Sequence, residues 1–173
     1  MPGVVPPNAV RLIPIDGDVA SALASGAEAF ESSCGARVEG DLEHARELVQ
    51  QNIEWMAANP RSAPWGAYLA ASTLDRDVVA VGAFVHAPTA QGEVEIAYGT
   101  LPRFEGRGLG TATAAALVAV ARAQVDVRRV IAHTAPERNA STRILEKLGF
   151  VHEGDATDKD IGLCWRWALV LAR

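Results

Sequence analysis

The chain has 173 residues, is 49% hydrophobic and carries a formal net charge of −5 at pH 7. That apolar content excludes an intrinsically disordered chain, and the length suits one domain with a sizeable core. The acidic balance argues against a non-specific nucleic-acid binder, which needs a basic footprint, and no apolar run is long enough to cross a bilayer. Cys34 and Cys164 stand far apart, and His44, His86, His133 and His152 lack ligand spacing, so no metal site is predicted. Two reduced thiols point to the cytoplasm. The Pro-rich start has neither the charged region nor the apolar run of a signal peptide. Residues 1–9 are expected to be flexible, with residues 10–173 forming a single domain.

In chain order, residues 10–15 read as a short strand. Asp16 can cap a helix in which Val19, Leu23, Ala27 and Phe30 recur at helical spacing. Residues 32–40 read as a loop. A second helix starts near Asp41 with Leu42, Ala45, Val49, Ile53 and Met56 as its buried stripe, and Asn59-Pro60 ends it. Three strands follow, over residues 65–72, 78–86 and 93–101; their links are too short for crossover helices, so they are antiparallel. An Ala-rich helix is predicted over 109–124 and a strand over 129–134, parallel to the strand before the helix. Asn139 can cap the next helix, with Ile144, Leu145 and Leu148 as its core face and Gly149 as its stop. The last strands, 150–153 and 163–171, flank a polar loop over 155–160 that is predicted to be the most mobile stretch. Trp65, Tyr68, Trp165 and Trp167 read as core or pocket wall, Trp55 as part of the helix pair, and His133 as structural. The order is βααβββαβαββ, an α/β mixed sheet of about seven strands with about four helices.

Arg103-Phe104-Glu105-Gly106-Arg107-Gly108-Leu109-Gly110-Thr111 joins the third strand of the meander to the Ala-rich helix. A glycine-rich turn at a helix start leaves backbone N–H groups aimed at one point, and the helix dipole adds partial positive charge, so the turn suits an anion. A Walker A loop would need Gly-Lys-Ser/Thr at its end, and the end here has no Lys. A dinucleotide fingerprint would need G-x-G-x-x-G after a βαβ strand, and the glycines here read G-x-G-x-G.

The stretch Glu105-Gly106-Arg107-Gly108-Leu109-Gly110 resembles motif A of the GNAT superfamily of N-acetyltransferases, whose loop reads Q/R-x-x-G-x-G/A. Both motif glycines match; Glu105 stands where Gln or Arg is usual. Downstream, the stretch from Asn139 to Phe150 is similar to the signature N-x-x-S-x-x-x-L-E-K-L-G-F of the RimJ/RimL-like branch, which acetylates ribosomal-protein N-termini and related amines. The resemblance implies the GNAT fold and an acetyl-CoA-dependent N-acetyltransferase. It implies a phosphate cradle from the backbone of Gly106, Arg107, Gly108, Leu109, Gly110 and Thr111, with Arg103 and Arg107 adding charge. It also implies that strands 93–101 and 129–134 splay around the pantetheine, and that an N–H near Thr100 or Leu101 meets the thioester oxygen.

Glu95 occupies the strand position from which some members draw a base, with Glu93 on the same strand face. The tyrosine that many members use as acid is replaced by Leu145. Ser141 is the substitute that the branch suggests, and Asn139 is matched to the pantetheine amides. The reaction implied is direct attack of a primary amine on the thioester, without a covalent enzyme intermediate. The acceptor is left open between a protein N-terminus and a small amine, and homodimerisation through the last strands is left open too. Glu105 and the missing tyrosine sustain an alternative, a non-catalytic acyl-CoA-binding module acting as sensor or scaffold. A second alternative is transfer of a different acyl group.

Overall fold

The computed structural model describes residues 9–38 and 40–172. Residues 1–8 of the expected flexible start lie outside the described residues. The first strand, β1 (Val10–Pro14), runs into a helix capped by Asp16, whose side chain accepts the Val19 N–H at 2.9 Å. The single helix predicted there is two helices, α1 (Gly17–Ser25) and α2 (Ala27–Cys34). Gly26, at φ 120° and ψ 174°, breaks the ladder in a conformation that only glycine adopts without strain. The loop expected from residue 32 therefore starts later, at Gly35, whose left-handed backbone ends α2. Helix α3 (Leu42–Ala58) follows and buries Ala45 and Val49.

Strands β2 (Ala67–Ser72), β3 (Val78–Phe84) and β4 (Glu93–Thr100) form the antiparallel meander. A single 3-10 turn, Pro102–Phe104, leads to α4 (Leu109–Arg122). Then come β5 (Arg129–Thr134), α5 (Ala140–Lys147), β6 (Val151–Asp158) and β7 (Gly162–Val170). The sheet order is β1-β2-β3-β4-β5-β7-β6, and β4–β5 is its parallel pair. Residues 155–158, expected in a loop, are paired strand: Asp155 lies opposite Trp165 and Asp158 opposite Gly162. The turn itself is short. Asp158 closes it by accepting the N–H groups of Asp160 at 2.8 Å and Ile161 at 3.0 Å.

The two sheet faces carry different layers. Helices α1 and α3 cover Ala67, Leu69, Ala71 and Val78 on one face. Helix α4 covers Phe84, Val94, Ile96 and Val130 on the other, with Leu145 of α5 in the same cluster. Small residues set the spacing: a methyl group on Gly82 would stand 2.9 Å from Leu117 Cδ1, so α4 rests almost on the β3 backbone. Among the described residues, no helix is long and apolar enough to cross a membrane.

Candidate active site

The β4–β5 ladder is short. It pairs Glu93 with Arg129, Val94 with Val130 and Glu95 with Ile131, then stops, although β4 continues to Thr100 and β5 to Thr134. The two strands part there and leave a wedge in the middle of the sheet. On the β3 side the Val85 N–H donates to the Glu95 carbonyl at 2.8 Å, and the Leu101 N–H donates to the Val79 carbonyl at 2.9 Å. Backbone polarity alternates along a strand, so the peptide groups of Tyr98 and Thr100 turn toward the wedge. Leu101, expected to offer an N–H to a thioester oxygen, spends that N–H on β3; Thr100 remains suitable.

One end of the wedge is the glycine turn. Pro102 opens the 3-10 turn, and Phe104 anchors it at 5% exposure. Gly106 and Gly108 take φ of 71° and 78°, and Gly108 is the N-cap residue of α4. With no side-chain cap there, the first N–H groups of α4 are left for a ligand. A methyl group on Gly110 would meet Thr100 Oγ1 at 2.8 Å and Ile144 Cδ1 at 3.0 Å, so the start of α4 is pressed between β4 and α5. The resulting cleft, about 490 Å³, brings together Gly106, Gly108, Gly110, Thr111 and Ser141 of the predicted residues.

The other predicted residues fall around this cleft. Leu109 is core, 5% exposed. Leu101 and Arg103 line an adjoining cavity of about 370 Å³ beside the first turns of α3. The Arg103 and Arg107 guanidinium groups lie 4.7 and 5.5 Å from the centre of the Phe104 ring. Glu105 is exposed and borders the cleft. Asn139 caps α5: its Oδ1 accepts the Thr142 N–H at 3.1 Å, and its own N–H donates to Thr142 Oγ1 at 3.0 Å. It stands two residues before Ser141, whereas the signature has its Asn three before the Ser; Arg138 holds that position. The match to the pantetheine amides is therefore one residue out of register, and the Asn139 carbonyl oxygen is committed to the cap.

Sequence reasoning missed three lining residues. Arg143 and Lys147 sit one turn apart on α5 and give the cleft two cations. Their i, i+4 spacing after a capped helix start was the available signal. Tyr98 alternates with Val94 and Ile96 on β4, which marks it for the inner face. Its hydroxyl is buried without a hydrogen-bond partner among the described residues, and burial pushes it well above the usual phenol range. It is therefore a neutral donor.

On the opposite face of β4 the two glutamates have different partners. Glu93 accepts from Arg166 at 2.7 Å and lies 3.8 Å from Arg129. Glu95 Oε1 lies 2.8 Å from His133 Nδ1, so the histidine read as structural is paired with the predicted base. Leu145, in the place of the missing tyrosine, is fully buried. Neither cysteine is placed as a nucleophile: Cys164 is buried, its Sγ 3.5 Å from the Ala156 carbonyl, and burial raises both thiols.

A backbone anion cradle, a cationic helix edge and a break in the β4–β5 ladder beside them suit a pyrophosphate attached to a slender amide arm. The comparisons agree. The family model of the acetyltransferase (GNAT) domain matches residues 10–151. A search of curated proteins found no match. Among solved structures, the fold is similar to RimL, a ribosomal L7/L12 alpha-N-protein acetyltransferase in complex with coenzyme A, with a TM-score of 0.64, 17% identity and 94% of each chain covered. A Salmonella typhimurium acetyltransferase that modifies the N-terminal serine of the 50S protein L7/L12 gives a TM-score of 0.64 at 18% identity, covering 95% of this chain and 96% of that one. The spermidine/spermine N-acetyltransferase SpeG from Vibrio cholerae gives 0.60 at 13%, covering 94% and 95%.

Proposed function

The chain belongs to the GNAT acetyltransferase family and is an acetyl-CoA-dependent N-acetyltransferase; from that premise we propose that its acceptor is the α-amine of a peptide or protein N-terminus. The observation that carries this reading is the cavity of about 390 Å³ between α3 and β4, on the face of the wedge opposite the glycine turn. Its walls are Asn52 and Trp55 on α3 and Val81, Ala83, Ala97 and Gly99 on the strands, with no carboxylate among them. A polyamine site would need acidic walls to hold its remote charges. An apolar, uncharged pocket suits a small first side chain instead. The N-terminal substrates named for RimL and the Salmonella protein support the same class and a place in the RimJ/RimL-like branch.

In this reading the backbone from Gly106 to Thr111 and the α4 dipole hold the pyrophosphate, and Arg103, Arg107, Arg143 and Lys147 supply counter-charge. The Thr100 N–H faces the thioester oxygen. Asn139 fixes the first turn of α5 so that the Ser141 hydroxyl stands over the cleft, where it donates a proton to the departing thiolate. Glu95 serves deprotonation of the amine from the opposite face. Attack is direct, since neither thiol is exposed and activated. The acetyl-CoA supply and two unpaired cysteines favour a cytoplasmic setting.

The test is release of free coenzyme A thiol from acetyl-CoA in the presence of tetrapeptides beginning with Ser or Ala, against spermidine. Turnover with the peptides and none with spermidine is expected. The reverse preference would overturn the acceptor class.

A further inference from the structure

Glu95 and His133 stand on neighbouring strands at the point where those strands part. Glu95 is the last β4 residue in the parallel ladder, opposite Ile131, and His133 lies two residues farther along β5. By strand alternation His133 shares a face with Ile131, and Glu95 shares one with Ala97 and Gly99. Both are on the side away from α4 and α5, where Val130 and Ala132 point. The carboxylate thus reaches the imidazole across the apex of the wedge, on the same sheet face as Ala97 and Gly99, which wall the cavity beside α3. The side chains are 15% and 13% exposed. An ionised carboxylate can only accept, so Nδ1 carries the hydrogen and donates it to Glu95, leaving a bare lone pair on Nε2. Among the described residues no hydrogen bond is made at Nε2.

We infer that His133 Nε2 takes the proton of the acceptor amine, with Glu95 as the positioning residue that fixes the tautomer and stabilises the imidazolium. This rests on the amine-to-thioester reading above. The proton balance is simple. An ammonium acceptor must lose two protons in becoming an amide. His133 accepts one and returns it to solvent. The other passes from the nitrogen to water as the C–N bond forms and the C–S bond breaks, while the Ser141 hydroxyl protonates the departing thiolate and regains a proton from water, so one proton is released to solvent overall. The division of labour follows the logic of a carboxylate–histidine pair, in which the buried acid orients and the imidazole transfers.

The charges around His133 suit this role. Arg166 lies opposite it on β7, but its guanidinium bonds Glu93 at 2.7 Å and Glu153 at 3.1 Å, and Arg129 bonds Glu153 at 2.5 Å. From α3, Asn52 and Trp55 face the cavity and bring no charge; Arg61, over the Trp55 ring, spends its guanidinium on the Phe84 and Val85 carbonyls. One carboxylate, Glu95, therefore meets the imidazole directly, and Arg166, opposite it on β7, is matched by Glu93 and Glu153.

The test uses the whole chain, acetyl-CoA and a tetrapeptide beginning with Ser. H133Q should lower kcat about 100-fold or more, leave the KM for acetyl-CoA unchanged and abolish the ascending limb of the pH profile. E95Q should keep that limb with a reduced plateau, because the imidazole loses the partner that holds its tautomer and orientation. A histidine with only a structural part would lower the melting temperature and leave the limb in place, and that result overturns the inference. Long-range nitrogen–proton NMR of the wild type adds a readout that needs neither an acceptor nor a folded variant. Hydrogen on Nδ1 of neutral His133 is expected; hydrogen on Nε2 overturns the dyad. If the wild type acetylates no peptide, the acceptor reading fails, and the tautomer still decides whether His133 has a free basic nitrogen.

Discussion

At the scale of single residues, the cleft beside the glycine turn depends on what is missing at Gly110. A methyl group there would stand 2.8 Å from Thr100 Oγ1, closer than side chains tolerate, and 3.0 Å from Ile144 Cδ1, which would have to give by a few tenths of an ångström. Thr100 and Ile144 border the same cleft, so relief by moving either one reshapes it. Gly110→Ala should cost about 1–3 kcal/mol in denaturant melts and raise the KM for acetyl-CoA, although it improves intrinsic helix propensity. Increased stability would mean that α4 can lift off β4 freely. Glu105 gives a prediction of opposite sign. Its exposed carboxylate borders the anion cradle at the start of α4. Glu105→Gln should tighten acetyl-CoA binding by about twofold to fivefold at low salt, with the gain shrinking as ionic strength rises. Calorimetric titration at two salt concentrations checks it.

At the scale of elements, α5 has only eight residues and depends on its cap. Asn139 and Thr142 satisfy each other's backbone N–H groups, and Thr142 is fully buried. Asn139→Ala should cost about 1 kcal/mol with an unchanged urea m-value, and Asn139→Ser much less. Because Ser141 lies in the first turn, the alanine variant should also lose kcat, whereas the serine variant should keep it. This cap was legible in the sequence, as were β5 and the glycine turn, because their signals are local. The break at Gly26 was not: Val19, Leu23, Ala27 and Phe30 keep helical spacing across it, so periodicity runs through a residue whose backbone stops the ladder. Strand β6 was read too short because Asp155, Thr157 and Asp158 carry no apolar alternation. An edge strand facing water needs none, and only its pairing with β7 makes it a strand. The pairing of His133 with Glu95 was not legible because the two are 38 residues apart and the β4–β5 register, not spacing along the chain, brings them together.

At the scale of the whole molecule, the wedge raises a mechanical question: the sheet is divided in the middle, and only three residue pairs join β4 to β5. An ionic ring reinforces the closed end. Glu93 on β4, Arg129 on β5, Arg166 on β7 and Glu153 on β6 are linked at 2.7 Å (Arg166–Glu93), 3.1 Å (Arg166–Glu153), 2.5 Å (Arg129–Glu153) and 3.8 Å (Arg129–Glu93). Each strand of that half of the sheet contributes one member. Partial burial pushes the Glu153 carboxyl up, but the hydrogen bond from Arg166 and the charge of Arg129 outweigh it and hold the group below its ordinary range. A carboxyl depressed in the folded state stabilises above the unfolded pKa, about 4.3, and that contribution is lost as pH falls through the folded value. Glu153→Gln should therefore lower the melting temperature by about 1–3 °C at pH 7, a modest effect because the ring is partly exposed. The two melting curves should converge as pH falls through that lowered folded value, where wild-type Glu153 becomes neutral as well. A gap of constant size down to pH 3 would show that the glutamine acts through shape rather than charge, and that the short backbone ladder alone keeps the wedge closed at its base.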